Sequence, residues 1–308
     1  MVLSSPSGDS VLSVARAITG MSDANFGEGA DEAFSVLADD TRLAILQELW
    51  WADGPLPFSD LRERVGAGDS GRFNYHLKKL TDLFVERTND GYELEAAAIR
   101  VLGAVFAGTY SETATLEPIP MGIDCHECGG PVEARYDDGQ VSVQCAECEV
   151  GYLDFVVPPG ILHGREREEL PEVFSKYVRS IARHAATGFC PFCLGPMAPA
   201  LGDETVEERG VVGGAYTCQR CDTTIRAMVG AFLLDHPAVV RFYDDHGIDV
   251  RTTPLWEFDW LYDADASWYE SNDSRTAAIA IEMDGDALTL RVDENMEVVA
   301  TAREPRDA

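Results

Sequence analysis

Lysine is nearly absent from this chain: it occurs only at Lys78, Lys79 and Lys176, and arginine supplies every other basic residue. Basic residues are scarce as a class, 24 against 54 acidic ones, leaving a formal net charge of -30. A surface of that sign repels nucleic acid and anionic membrane wherever it is uniform, so contact with phosphate needs a local exception. The acids are spread along the chain and not gathered in a tail. That distribution suits a protein in a cytosol of molar salt, where the screening length falls to about 3 Å, so the expected setting is halophilic and cytoplasmic. No apolar run approaches the roughly 18 residues a membrane span needs, and no membrane partner is expected. Nucleophile–base pairs, phosphate-cradling glycine loops and HExxH are also missing, so no enzyme activity is expected.

No cysteine stands outside a Cys-x-x-Cys pair. The eight form Cys125/Cys128, Cys145/Cys148, Cys190/Cys193 and Cys218/Cys221. Two such pairs facing across a hairpin give the tetrahedral sulfur set that zinc prefers, and four thiolates close its shell against catalysis. The spacing therefore predicts two structural zinc ions per chain, one held by the first four cysteines and one by the last four. Disulfides would suit a short secreted chain, and nothing here resembles a secretory signal. A redox Cys-x-x-Cys usually occurs once, at a helix start, whereas this chain has four in matched pairs.

At 308 residues the chain is long enough for two or three small domains. The expected class is α+β: an N-terminal winged helix-turn-helix, then a tandem zinc-ribbon and helix region, then a small antiparallel β meander. The boundaries read as a flexible arm over 1–30, the helical module over 31–117, ribbon one with its helix over 118–188, ribbon two with its helix over 189–249, and the meander over 250–308. Met21 is a second candidate start, because the sequence looks structured only from Asp31 onward.

Within the helical module, Asp39 or Asp40 caps a helix from Thr41 to Trp51, and Ser59 caps a short one from Asp60 to Val65. After the Gly66-Ala67-Gly68 turn, a helix over 70–81 puts Phe73, Leu77 and Leu80 on one face. Its other side carries Arg72, Asn74, Tyr75, His76, Lys78 and Lys79, and no acid occurs from Ser70 to Thr81. A cationic polar helix in so acidic a chain is the footprint of phosphate contact and base reading. Arg72, Asn74, Tyr75 and His76 are expected to face bases, and Lys78 and Lys79 phosphates. Asn89-Asp90-Gly91 then joins two strands as a wing, from which Arg87 would reach a phosphate. The Ala-rich stretch from Glu95 to Tyr110 reads as a helix for core packing or a dimer seam.

Two of these stretches, Ala38-Asp-Asp-Thr-Arg-Leu-Ala-Ile-Leu46 and Phe73-Asn-Tyr-His-Leu-Lys-Lys-Leu80, resemble the winged helix-turn-helix repressors of the ArsR type. The resemblance spans about a quarter of the chain, residues 33–110. It implies a transcriptional regulator that binds double-stranded DNA, usually as a homodimer on a pseudo-palindromic site. Metal-sensing members carry a cysteine pair in this module, whereas the first cysteine here is Cys125, so heavy-metal sensing does not carry over. The attached ribbons resemble those of longer haloarchaeal regulators. No small-molecule effector follows from the sequence.

The ribbon region reads as an internal duplication: ribbon, strand (Tyr152 to Val157), helix (Leu170 to Ala186), then ribbon, strand (Thr224 to Val229), helix (Pro237 to His246). Lys176, Arg179 and Arg183 make a second basic stripe in a stretch without acid from 173 to 202; ion pairing with an acidic neighbour is the expected use, and added DNA contact the alternative. The residues Trp256, Phe258, Trp260 and Tyr262 alternate as on a strand. The other reading of the whole chain is a zinc-ribbon adaptor that contacts transcription machinery without reading DNA itself.

Overall fold

The computed structural model describes residues 12–16, 29–207, 210–270 and 276–305. In chain order a strand β1 (Leu12–Arg16) precedes α1 (Ala30–Leu37), α2 (Asp40–Trp50), α3 (Phe58–Arg64) and α4 (Ser70–Leu80). A hairpin of β2 (Val85–Arg87) and β3 (Tyr92–Leu94) leads to α5 (Ala96–Phe106). Then come β4 (Thr115–Asp124), β5 (Pro131–Asp137), β6 (Gln140–Cys145), β7 (Gly151–Val156) and α6 (Leu170–Ala186). The chain continues through β8 (Met197–Leu201), α7 (Glu204–Glu207), β9 (Gly213–Cys218), β10 (Thr223–Met228), α8 (Val229–Leu233) and α9 (Pro237–Asp245). It ends with β11 (Ser267–Tyr269), β12 (Thr276–Met283), β13 (Asp286–Asp293) and β14 (Val298–Pro305). The class is mixed α+β with several antiparallel sheets, and the contacts divide it into two units, one of residues 23–113 with 158–160 and one of the remainder.

The helical unit is built on end caps and one apolar core. Asp39 caps α2 by accepting the Arg42 N–H at 3.1 Å, and Asp69 caps α4 through the Arg72 N–H at 2.8 Å. Ser59, expected as a cap, lies inside the first turn of α3 and donates to Asp60; Pro57 takes the N-cap place, so the helix begins two residues earlier than expected, at Phe58. Ile45, Leu46 and Leu49 of α2, Leu61 of α3, Phe73, Leu77 and Leu80 of α4 and Ala98 and Leu102 of α5 share the core. The β2–β3 hairpin pairs Val85 with Leu94, and Leu56 bonds Tyr92 in both directions at 2.9 Å, adding a third extended piece. Gly91 makes that junction possible: its φ is +149°, and a Cβ there would sit 2.4 Å from the Leu56 carbonyl.

The other unit centres on an eight-stranded sheet of order β4-β5-β6-β7-β1-β10-β9-β8. Of the segment expected as an arm, residues 1–11 and 17–28, Met21 among them, lie outside the described residues. Residues 12–16 depart from that expectation: β1 runs parallel to β7 and antiparallel to β10, joining the two ribbon halves. The alternative β edges would each expose a row of unpaired amides. On either side of β1 the same three-strand meander recurs, β5-β6-β7 and β8-β9-β10, and the two run in opposite senses across the seam. That repeats the duplication read from the sequence.

Helix α6 packs on β4, β8 and α8, burying Leu170, Phe174, Val178, Ile181 and Ala185 along one stripe. The meander β12-β13-β14 forms where expected, with β11 added at its edge. Residues of the two ribbons and of the meander pack in one core, so the three expected C-terminal domains form a single unit. The aromatic run is not a strand. Leu255–Glu257 and Asp259–Leu261 are 3-10 turns that bury Leu255, Trp256, Phe258 and Leu261, and Trp260 donates its Nε1–H to the Tyr243 hydroxyl at 2.7 Å. Pro254 opens the first turn, and burial at 255, 256, 258 and 261 does not follow a period of two. Among the described residues no helix is long and apolar enough to cross a membrane.

Candidate metal centres and nucleic-acid face

All eight cysteines converge as the spacing predicts. The sulfurs of Cys125, Cys128, Cys145 and Cys148 lie within 4.8 Å of one another, and so do those of Cys190, Cys193, Cys218 and Cys221. Sulfur separations are 3.7 Å for Cys125–Cys148, 3.5 Å for Cys128–Cys145, 3.8 Å for Cys190–Cys221 and 3.5 Å for Cys193–Cys218. A disulfide needs about 2.05 Å. A tetrahedron with metal–sulfur bonds of about 2.3 Å has edges of about 3.8 Å. The quartets therefore fit two metal ions, one each.

The backbone that sets these sulfurs is the same four times over. The residue following each second cysteine has a positive φ: Gly129 at 74°, Glu149 at 60°, Leu194 at 61° and Asp222 at 57°. This left-handed residue folds the chain back under the sulfurs. In the first and third turns, Gly129 N–H bonds Cys125 O at 2.8 Å and Leu194 N–H bonds Cys190 O at 3.0 Å. Backbone N–H groups of Gly130, Glu147, Gly195 and Arg220 point at Cys128, Cys145, Cys193 and Cys218 sulfurs, each at 3.4 Å. Such donors favour thiolate over thiol.

Proton affinities divide within each quartet. Burial pushes the Cys125 thiol up, but the Cys128 N–H and the Tyr152 hydroxyl outweigh it and bring the group to about 6. Cys128 has the Gly130 N–H in its favour, yet the Cys148 and Cys145 sulfurs drive it to about 12. In the second quartet burial again opposes ionisation, while the Thr223 hydroxyl and N–H lower Cys221 to about 7; burial and the Cys221 sulfur raise Cys193 to about 12. One sulfur ionises near neutrality and a neighbour then resists, a conflict that a bound cation resolves. Tyr152 and Thr223 are parts of these sites that spacing rules could not find. Tyr152 also meets the His126 Nδ1 at 2.8 Å through its hydroxyl.

On α4 the structure sorts the expected contact residues. Arg72, Tyr75, Lys78 and Lys79 are exposed and Asn74 is half-buried, while Arg87 is exposed on β2 with its guanidinium 5.9 Å from the Tyr92 ring centre. His76 does not belong with them. It is 6% exposed, and its Nδ1 lies 3.2 Å from Asp39 Oδ1. Its position three residues after Phe73 and one before Leu77 places it on the apolar side, against the start of α2.

The second basic stripe is engaged inside its own unit. Arg179 is 8% exposed and donates to the Val250 carbonyl and to Asp235 Oδ1, Arg183 holds Asp235 Oδ2 at 2.7 Å, and Lys176 pairs with Glu172. Burial raises the Asp235 carboxyl, but the two arginines outweigh it and hold the group below the ordinary carboxylate range. The ion-pairing expectation describes this stripe.

Comparison with known proteins matches two family models. One, described as Domain of unknown function (DUF7351), covers residues 122–298, and the other, Domain of unknown function (DUF7347), covers residues 30–105. No curated protein and no solved structure matches the chain. The larger match contains both cysteine quartets and more than half of the sequence, and by it the chain belongs to the family of Domain of unknown function (DUF7351).

Proposed function

We propose that this chain is a DNA-binding transcriptional regulator of the ArsR type, cytoplasmic and dimeric, whose ribbon region carries two structural zinc ions. The observation that carries the reading is the exposed face of α4. In a chain of net charge -30 it presents Arg72, Tyr75, Lys78 and Lys79 with no acid from 70 to 81. Helix α4 follows α3 through a short turn and is followed by a hairpin, the order of elements in a winged helix-turn-helix. Arg72, Asn74 and Tyr75 read base edges, for which guanidinium and amide groups have paired donors and acceptors. Lys78, Lys79 and Arg87 meet phosphates. His76, buried against Asp39, orients α4 and touches no base.

Zinc is the metal that best suits four thiolates in a tetrahedron. Held by the two quartets, it closes the knuckles and supplies folding energy that small ribbons lack. It adds no chemistry at the DNA. The thiolate-rich ribbons, with Asp137, Asp138, Glu147 and Glu149 nearby in sequence, are poor phosphate binders, so affinity rests on the helical unit.

Fluorescence anisotropy in about 2 M KCl, a salt level at which screening is short, tests the reading. The probes are DNA from the region upstream of the chain's own gene and an unrelated duplex, and the variant is Arg72→Ala/Asn74→Ala. Preferential binding lost in the variant supports a sequence-reading regulator. Binding that the variant retains assigns recognition elsewhere, and no binding to any duplex by folded, metal-loaded protein overturns the proposal.

A further inference from the structure

The first ribbon carries side chains that its turn does not need. In the first and third knuckles, Cys125 N–H bonds Gly130 O at 2.7 Å and Cys190 N–H bonds Gly195 O at 2.9 Å, so the two backbones agree. Around the leading cysteine, however, Asp124 and His126 stand where the second ribbon has Phe189 and Pro191. His126 is fixed in place: the Tyr152 hydroxyl meets its Nδ1 at 2.8 Å, and its ring stacks on Tyr262 with centroids 5.8 Å apart. The Tyr152 and Tyr262 ring centroids are 5.4 Å apart. These three rings and Trp256 wall a cleft of about 610 Å³ within the ribbon unit, a volume in the range of small-molecule sites.

The 3-10 turns that follow Pro254 bring Trp256 to this cleft together with Glu257, Asp259 and Asp263, and Asp124 reaches it from the end of β4. No lysine or arginine lines it. Asp263 accepts the Asp265 N–H at 2.9 Å, whereas Asp124, Glu257 and Asp259 have no ion pair among the described residues. The adjoining quartet deepens the negative potential, because four thiolates around a divalent metal carry a net charge of about -2.

Acid alone does not set this cleft apart in a chain with 54 acidic residues. A second acidic hollow, of about 400 Å³, is lined by Glu282, Asp284, Asp286 and Glu304, but it has no aromatic wall, and Arg303 holds Asp286 at 2.8 Å. Aromatic rings and carboxylates together suit a cation with an organic coat. In molar salt the carboxylates are screened over about 3 Å and potassium competes for them, so the rings favour an ion that leaves water more readily. Trp256 adds a donor: it is 4% exposed and lines the cleft, and its Nε1–H has no hydrogen-bond partner among the described residues, unlike that of Trp260. We infer that the cleft is a binding site for a small organic ammonium ion that also carries a hydrogen-bond acceptor.

Isothermal titration calorimetry of the full-length, metal-loaded protein in about 2 M KCl tests this with two probes. Choline has both the charge and the acceptor; dimethylbutanol, with carbon in place of the nitrogen, keeps the shape and the hydroxyl without the charge. Saturable binding of choline is expected, and none of the neutral isostere. The choline dissociation constant should rise at least about tenfold in Tyr262→Leu and in Glu257→Gln/Asp259→Asn, the scale of a desolvated cation–π contact. Glu257 and Asp259 are exposed, so the double variant should keep two metal ions per chain even if Tyr262→Leu does not. Absence of choline binding, equal binding of the isostere, or an affinity unchanged in the double variant overturns the inference. So does calcium binding that excludes choline and is untouched by Tyr262→Leu, which would make the cleft an inorganic cation site.

Discussion

His76 Nδ1 sits 3.2 Å from Oδ1 of Asp39, the same carboxylate oxygen that caps α2 through the Arg42 N–H at 3.1 Å. One side chain thus ends one helix and braces another, and α4 is aimed by a contact on its hidden side. Burial raises the Asp39 carboxyl, but the Arg42 N–H and His76 outweigh it and set it below its ordinary 3.8.

A folded-state value below the unfolded one stabilises above the unfolded value and loses that effect as pH falls through the folded one. The Asp39 carboxylate should therefore support the helical unit fully at neutral pH and lose its effect below about pH 4. Asp39→Asn keeps a capping oxygen and removes the charge. Hydrogen exchange over 39–50 and 70–80 should show the variant less protected than wild type at pH 7 and equal to it in acid. A difference that is unchanged by acid would mean that the carboxylate acts only as a cap.

Metal removal should act on one unit far more than on the other. Cys145→Ala should lower the bound metal from two ions to one per chain, since Cys145 belongs to one quartet. A structural zinc site contributes on the order of 10 kcal/mol to folding, so amides of β5 to β7 should lose protection. Those of α2 and α4 should keep theirs. Metal content by mass spectrometry and residue-resolved exchange check both halves of this expectation.

Gly91→Ala should destabilise the helical unit by about 2 kcal/mol or more, through a steric clash with backbone that has no room to move. The added methyl would meet the Leu56 carbonyl at 2.4 Å. Gly66→Ala, at φ +70° with open space around it, should cost less, about 1 kcal/mol. Denaturant midpoints of the two variants, compared with wild type, decide the order.

Asp235→Asn should be more damaging than its half-exposed setting suggests, because it leaves Arg179 buried beside a neutral amide. Loss of one partner from a buried pair costs about 3 kcal/mol. Arg183→Ala, which removes the exposed partner, should cost under about 1 kcal/mol. Thermal unfolding of both variants gives the comparison; equal losses would place the main contribution on Arg183.

Much of this architecture was readable because its signals are local. Helix α4 runs from Ser70 to Leu80 against an expected 70–81, since Asp69, Phe73, Leu77 and Leu80 define cap and face within one segment. The cysteine quartets were readable because metal geometry fixes spacing. What was missed depends on distant partners. Nothing around Leu12 announces a strand, as its pairing residues lie near 153 and 227. His76 looked like part of the polar face until Asp39 was placed beside it. The aromatics from Trp256 to Tyr262 alternate in sequence, but they pack in 3-10 turns around a core supplied by α9 and the ribbons.

The placement of β1 bears on how the chain is made. It leaves the ribosome before its neighbours β7 and β10, which follow well over a hundred residues later. Closing such distant pairs is slow, and domains whose strands are already complete fold ahead of them. The helical unit draws its core from residues between 33 and 102 and can be finished early. The eight-stranded sheet must wait for Thr223–Met228. Until then Leu12–Arg16 is a strand without a sheet, and the interval is the period in which a nascent chain is most open to chaperone capture or to pairing with the wrong edge.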